Sequence, residues 1–410
     1  MSTPSPTVHG LGQGGQTRQL LLTYDFPPIG GGIARMMGEL AMRYPPGSLV
    51  VSTGRYADSD RVDAALPNRV HRASIDSRRL RTVQGLIVWS RQARALARTY
   101  DPSFTWCGNL KPAGFPAAWI QRRAGIPYGI FLHGSELLLL QHRIRYSPRK
   151  RIAAAYALRR AAVLVCVSDW TRRLCLEVLG EMGFEPGEVE IRTLALGTDP
   201  DRFVPGLDSR GVRARYGLGE QPWLLTVARL AVHKGIDTGI RALAALSASH
   251  PDLQYVVVGN GVKQGELEAL ARQHGVAGRV RFLTGVADAD LPALYNGAAL
   301  YLGLSRPEEL LIEGFGISLT EASACGIAVV GGRTGGIPDA VRDGETGLLV
   351  DSTDLEAVLA TVRCLLGDPA LRMRLGQAGR RAVETHYNWE RVTREVRGLG
   401  REFSVPGPTR

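Results

Sequence analysis

Several features are scarce in this chain, and each scarcity removes a class of protein. No apolar run approaches the roughly 20 residues that a bilayer-spanning helix needs; the leucine run at 137–140 is four residues long. Cysteine is sparse and odd in number: Cys107, Cys166, Cys175, Cys325 and Cys364 are scattered, the closest two nine positions apart. That spacing offers neither a zinc ribbon nor a disulfide framework. It fits a reducing compartment, so a cytoplasmic location is expected. The usual nucleotide fingerprints are missing too. Gly30-Gly31-Gly32 is followed by Ile33-Ala34-Arg35, which breaks Gly-x-Gly-x-x-Gly, and no Lys-Ser/Thr pair ends it as in a P-loop. Residues 1–16 are rich in Gly, Ser, Pro and Thr, with Arg18 the first positive side chain. They are expected to form a loose tail and not a signal peptide.

What is present is a chain of 410 residues, 44% apolar, with 49 glycines. That is too long for one ordinary core and suits two globular domains. Charge is lopsided: residues 1–205 carry 27 Lys+Arg against 16 Asp+Glu, whereas residues 206–410 carry 23 of each. The densest clusters are Arg78-Arg79-Leu80-Arg81 and the run from Arg143 to Arg151. Such a face suits an anionic surface, lipid headgroups or nucleic acid. The plain alternative is a solvated Arg-rich surface, because charge runs specify no partner. No nucleic-acid motif accompanies the charge, so no nucleic-acid partner is expected.

Short apolar runs at 19–24, 49–52, 128–132, 163–167 and 189–192 read as buried strands. Helical stretches intervene at 83–100 and 149–160. A second series of strands follows at 223–228, 254–259, 280–283, 299–304, 327–330 and 347–350, with helices at 237–249, 265–274 and 319–325. The alternation predicts an α/β protein of two doubly wound, Rossmann-like parallel sheets. Between the series, residues 196–206 are rich in Pro, Gly and Asp, as a linker is. The expected organisation is a tail at 1–17, a first domain at 18–200 and a second at 201–383. A C-terminal helix and tail at 384–410 complete it. Ligands belong in the cleft at the carboxyl ends of the strands.

Chemistry-bearing residues cluster at those ends. The first strand runs into the Gly loop containing Gly31 and Gly32, where backbone amides at a helix start can approach an anion; the alternative is a tight turn. Strand 128–132 runs into His133-Gly134, which faces His133 to the cleft, although most lone histidines are structural. Strand 223–228 runs into Arg229 and Lys234-Gly235, two fixed cations suited to a diphosphate without a metal. Arg/Lys pairs are more often plain surface charges. Glu313-Gly314-Phe315-Gly316 and Glu321 put two carboxylates eight residues apart, one in a Gly-rich loop and one about a turn into a helix. Acceptor-only groups so placed suit a ligand rich in hydroxyls. Two Glu at this spacing are common by chance; the string around them is not.

Taken together, these pieces resemble a family 4 glycosyltransferase of GT-B architecture. The further matching strings are Val227-Ala228-Arg229-Leu230, Gly335-Gly336-Ile337-Pro338, Gly344 to Val350 and Tyr387-Asn388-Trp389. The resemblance spans about residues 18–400 and is most specific in the second half. It implies a retaining hexosyltransferase that uses a nucleotide-sugar donor, with no cofactor and no metal. It implies that Arg229 and Lys234 neutralise the donor diphosphate and that Glu313 accepts from sugar hydroxyls. The amides of Phe315 and Gly316 would lie beside sugar and phosphate, and Glu321 would hold the ribose. His133 would face the reacting centre, Gly31 and Gly32 would close over the diphosphate or acceptor, and the terminal helix would cross back to the first domain. Glu313 is read as a positioning group, not a nucleophile, because a front-face route is usual in the family.

The long segment from Arg306 to Glu313 resembles mannosyltransferases that build phosphatidylinositol mannosides from GDP-mannose. A glycan or lipid-linked acceptor is expected, with peripheral docking on the inner face of the cell membrane through residues 136–151, the leucines at 137–140 supplying the apolar part. UDP-sugar donors with a soluble acceptor are the alternative. A catalytically inactive sugar-nucleotide-binding or membrane-docking protein is the rival of another class; its mark would be a missing site residue, and none is missing.

Overall fold

The computed structural model describes residues 18–76, 79–80 and 82–404. The expected tail at 1–17, residues 405–410, and Arg78 and Arg81 of the first basic cluster lie outside the described residues.

Two sheets, both wholly parallel, form the scaffold. The first has seven strands in the order β3-β2-β1-β4-β5-β6-β7. These are β1 Gln19–Leu22, β2 Leu49–Arg55, β3 Arg69–Asp76, β4 Phe104–Cys107, β5 Tyr128–Leu132, β6 Val163–Cys166 and β7 Ile191–Thr193. The second has six in the order β10-β9-β8-β11-β12-β13. They are β8 Trp223–Val227, β9 Gln254–Val258, β10 Val280–Leu283, β11 Ala298–Gly303, β12 Val329–Gly332 and β13 Leu348–Val350. In each sheet the order of strand addition reverses beside its first strand, β1 or β8, so each has a crevice at the carboxyl ends of its central strands. Central strands such as β1, β4, β5 and β9 are buried along their whole length, as continuous apolar runs covered by helices on both faces must be.

Two strands escaped the sequence reading. β4 is only Phe-Thr-Trp-Cys, and β3 interleaves Arg69, His71 and Arg72 with apolar residues because it is an edge strand. Other boundaries move by a few residues; the run expected at 189–192 pairs with β6 over 191–193, and that expected at 327–330 is β12, 329–332.

Where one C-terminal helix is expected from residue 384, the chain has two, Pro369–Thr385 and Trp389–Glu402. The break falls at Asn388, whose side chain caps the second by accepting from the Arg391 amide at 2.9 Å. That last helix lies on the first domain. Gln19 Nε2 donates to the Arg397 carbonyl at 3.4 Å, and Ser404 Oγ meets Ser103 Oγ at 3.1 Å. Its apolar face buries Trp389, Val392 and Val396. The linker runs beside its start: Trp389 N donates to the Thr198 carbonyl, and a Cβ on Gly197 would come within 2.6 Å of the Asn388 backbone.

Candidate active site

Five chain segments converge between the two sheets, each leaving the carboxyl end of a strand or opening the helix that follows it. From the first domain come the Gly loop after β1 and the His133 turn after β5. From the second come the Arg229–Lys234 turn after β8, the loop 304–316 after β11, and the helix Ile317–Ala324 that carries Glu321.

The second-domain side is tightly built. Gly235 has φ +66°, and a Cβ there would sit 1.9 Å from the Leu304 carbonyl, so only glycine lets the Lys234 turn press against the end of β11. Arg306 ties the same two segments: its amide donates to the His233 carbonyl at 2.9 Å, and its guanidinium reaches both Asp237 oxygens at 2.8 and 3.0 Å. With those anchors, Lys234 Nζ donates to Glu313 Oε2. Burial alone would raise the Glu313 carboxyl, but the Lys234 ammonium outweighs it, helped by His233 and the Phe315 amide, and holds it below the ordinary carboxylate range. The 335–336 turn braces the loop from beneath. The Gly336 amide donates to the Glu313 carbonyl at 2.9 Å, and a Cβ on Gly336 would lie 1.9 Å from the Gly314 carbonyl.

Glu321 is the second carboxylate, 4% exposed. Tyr295, from the helix Leu291–Asn296, donates its hydroxyl to Oε2 at 2.7 Å. Across the cleft, Arg35 of the helix Gly32–Arg43 places Nε 3.6 Å from Oε1. Burial pushes the Glu321 carboxyl upward, while Arg35 and the Tyr295 hydrogen bond oppose the rise.

The first domain supplies the opposite wall. His133 Nε2 lies 2.8 Å from the Gly108 carbonyl. A carbonyl only accepts, so Nε2 carries the proton and Nδ1 is an acceptor. Burial pushes the ring down to about 4, with the Gly108 hydrogen bond opposing in part, so the imidazole is neutral at physiological pH. Gly31 is at φ +122° and caps the helix that follows. A Cβ on Gly32 would stand 3.6 Å from Ile317 Cδ1, which sets the Gly loop against the start of the Glu321 helix. The two walls meet at Gly314, where an added Cβ would lie 2.2 Å from the His133 carbonyl, and at Ser135, whose Oγ donates to the Ile312 carbonyl at 3.1 Å.

The structure therefore brings Gly31, Gly32, His133, Lys234, Glu313, Gly316 and Glu321 to one cleft. Arg229 differs in detail from the expectation, and Phe315 presents its backbone, the part expected to act. Arg229 is exposed, and its side chain makes no hydrogen bond or ion pair among the described residues, so the cations are not an equivalent pair: Lys234 is engaged by Glu313 and Arg229 is not. Phe315 buries its ring in the core beside Tyr387, ring centroids 6.1 Å apart, leaving only its backbone near the cleft. Sequence reasoning passed over Arg35; its only signal was a cation one turn beyond the Gly loop. Among the described residues, no group of three or more His, Cys, Asp or Glu side chains comes together to hold a metal ion.

The basic segment 136–151 also changes character. Leu137 is buried, and Leu138 and Leu140 pack on the first-domain core, so the leucine run is not an outward apolar face. The outward apolar side chains are Tyr146 and Ile152, 79% and 70% exposed, beside the exposed Arg143, Arg145, Arg149, Lys150 and Arg151. No helix among the described residues is long and apolar enough to cross a membrane.

Comparison with known proteins agrees with this architecture. Residues 210–382 match the family described as glycosyl transferases group 1, and residues 31–191 match the glycosyl transferase 4-like domain. The chain is 32% identical over 377 residues to the GDP-mannose-dependent alpha-(1-6)-phosphatidylinositol monomannoside mannosyltransferase of Mycolicibacterium smegmatis, covering 90% of this chain and 94% of that one. It is 30% identical over 388 residues to the protein of the same name from Mycobacterium tuberculosis, covering 93% and 97%. Among solved structures, sucrose-phosphate synthase from Thermosynechococcus elongatus superposes with a TM-score of 0.75 at 21% identity, covering 94% and 98%. Anabaena Alr3699/HepE in complex with UDP and glucose does so with a TM-score of 0.75 at 18% identity, covering 93% and 99%. Two Rossmann-like domains facing across this cleft define a GT-B glycosyltransferase, an enzyme of the hexosyltransferase class. Within that class, the chain belongs to the group 1, family 4 glycosyltransferases.

Proposed function

We propose that the protein is a retaining, metal-independent mannosyltransferase that moves mannose from GDP-mannose to a phosphatidylinositol mannoside-type glycolipid. The observation that carries this reading is the end-to-end similarity to relatives of that name, at 30–32% identity over 90–93% of the chain. The site chemistry is compatible. Glu313, held ionised by Lys234, accepts from donor-sugar hydroxyls, and Glu321 accepts from the ribose. Arg229 and Lys234 meet the charge that develops on the diphosphate as the glycosidic bond breaks; fixed cations in a water-poor cleft stabilise such charge without reorganising. The neutral His133 faces the reacting centre, and Gly31 and Gly32 allow close backbone approach. Closure of the two domains keeps water from the activated donor. The basic rim from Arg143 to Arg151, with Tyr146 and Ile152, docks the enzyme on the anionic cytoplasmic leaflet that bears the acceptor.

The test is a thermal-shift and turnover panel of GDP- and UDP-sugars with phosphatidylinositol monomannoside as acceptor. A ligand bound by the native state alone raises apparent stability. GDP-mannose is expected to raise the midpoint and to support transfer. Stabilisation and transfer with a UDP-sugar alone would refute the donor assignment.

A further inference from the structure

Arg35 is a first-domain residue in contact with the second-domain carboxylate that the proposed function gives to the ribose. Its guanidinium spans two acidic groups there. NH2 lies 3.2 and 3.3 Å from the two Asp288 oxygens, and Nε lies 3.6 Å from Glu321 Oε1. Arg35 itself is held in the interface, its side chain 23% exposed, while the Glu321 side chain is 5% exposed. A carboxylate so buried needs a countercharge to stay ionised. The groups facing Glu321 are few. Its own helix and the neighbouring Leu291–Asn296 helix contribute Cys325 and the Tyr295 hydroxyl. β11 contributes Tyr301, and the 284–290 loop contributes the anionic Asp288. Arg202, in the linker, acts at longer range and is itself paired with Asp288, Oδ2 at 3.5 Å. The one cation paired directly with Glu321 among the described residues comes from the opposite domain.

We propose that Arg35 is a cross-domain positioning residue of the donor site, keeping Glu321 ionised and fixed so that affinity for the donor nucleotide depends on a first-domain side chain. This rests on the reading of Glu321 as the ribose acceptor. The sign of the effect follows from charge. Removing a cation raises a neighbouring carboxyl, so Glu321 without Arg35 takes up a proton at higher pH and loses anionic accepting capacity as pH falls. The weakening is therefore largest in mild acid.

The experiment is calorimetric titration of GDP and of UDP, from pH 5.5 to 8.5, into the full-length wild-type protein, Arg35→Gln, Arg35→Lys, Glu321→Gln and the Arg35→Gln/Glu321→Gln double variant. Wild type sets the reference profile, because the terminal phosphate of each nucleotide itself titrates at about pH 6. Relative to wild type at the same pH, Arg35→Gln is expected to bind severalfold more weakly near the acid end of the range and to recover toward pH 8, as a raised Glu321 carboxyl requires. Arg35→Lys restores the wild-type profile, a rescue that a variant merely damaged in folding would not show. In the Glu321→Gln background, Arg35→Gln adds nothing, the non-additivity expected of one coupled pair. Wild-type affinity of Arg35→Gln at every pH overturns the proposal while leaving Glu321 in its role. Tighter binding would make Arg35 a competitor of the ribose and overturns it equally. Unchanged affinity in Glu321→Gln, or no binding of either nucleotide by wild type, instead overturns the ribose reading on which the proposal stands.

Discussion

Gly314 and His133 touch across the cleft: a Cβ placed on Gly314 would stand 2.2 Å from the His133 carbonyl oxygen. This is backbone against backbone, and neither partner can swing aside. Gly314→Ala should therefore push apart the two turns that carry His133 and Glu313. A displacement near 1 Å at reacting groups costs on the order of 100-fold in rate. Turnover is expected to fall by about that factor, while nucleotide affinity, which depends on the separate Arg35–Glu321 contact, falls by much less. Steady-state kinetics beside a nucleotide titration separates the two; an alanine variant with native kcat would show that the domains do not close on this contact.

Lys234 and Glu313 neutralise one another. Glu313→Ala removes a hydroxyl acceptor and releases Lys234; Lys234→Ala strands a half-buried carboxylate with no counter-ion, which costs stability as well as chemistry. Both variants should lose about 100-fold in kcat/KM. Both should also unfold at a lower temperature, because each leaves a mostly buried charge unpaired, and a scan of the three proteins side by side reads that loss.

Because fixed cations are assigned the work a divalent ion does elsewhere, transfer should persist in EDTA. The assay is turnover after exhaustive chelation. Activity abolished by EDTA and restored by Mg²⁺ or Mn²⁺ would count decisively against the roles of Arg229 and Lys234.

How far these features were legible in the sequence depended on locality. The run from β5 into His133, the Gly loop after β1 and the string from Glu313 to Glu321 are each contiguous, so apolar periodicity and glycine placement disclosed them. β4 was too short and β3 too polar at the sheet edge to stand out from loop. Arg35 and Asp288 lie 253 residues apart, and no periodicity relates them; only the approach of two domains does. Lys234 and Glu313 lie 79 residues apart within one domain; the turn after β8 and the loop after β11 bring them together, and no local pattern discloses their ion pair. Leu137 and its neighbours misled because a short apolar run on a basic helix reads alike whether it points outward or, as here, onto the core.

His133 and His233 are both pushed down to about 4, chiefly by burial. In the unfolded chain each titrates near 6.5. Between these values the unfolded state binds more protons, so stability is fully present above about pH 6.5 and is lost as pH falls toward 4. At about 1.4 kcal/mol for each tenfold change in proton affinity, the loss is on the order of a few kcal/mol. The thermal midpoint should drop on acidification from pH 6.5 to 4.5, and His233→Asn should flatten that slope. An unaltered slope in the variant would place the acid sensitivity in other groups.

The helix Trp389–Glu402 belongs to the second half of the chain and rests on the first domain, with Trp389 1% exposed at its start. Its amide is held by the Thr198 carbonyl of the linker, so the indole sits where linker, helix and both domains meet. Truncating a buried Trp to Ala typically costs about 3–5 kcal/mol. Here the loss also frees the segment that ties the domains together. Trp389→Ala should therefore lower the unfolding midpoint and broaden the distribution of interdomain distances. Calorimetry together with small-angle scattering on the same samples tests both. A variant that melts earlier yet scatters as the wild type does would confine Trp389 to core packing and leave the domain tie to the Gly197–Asn388 crossing.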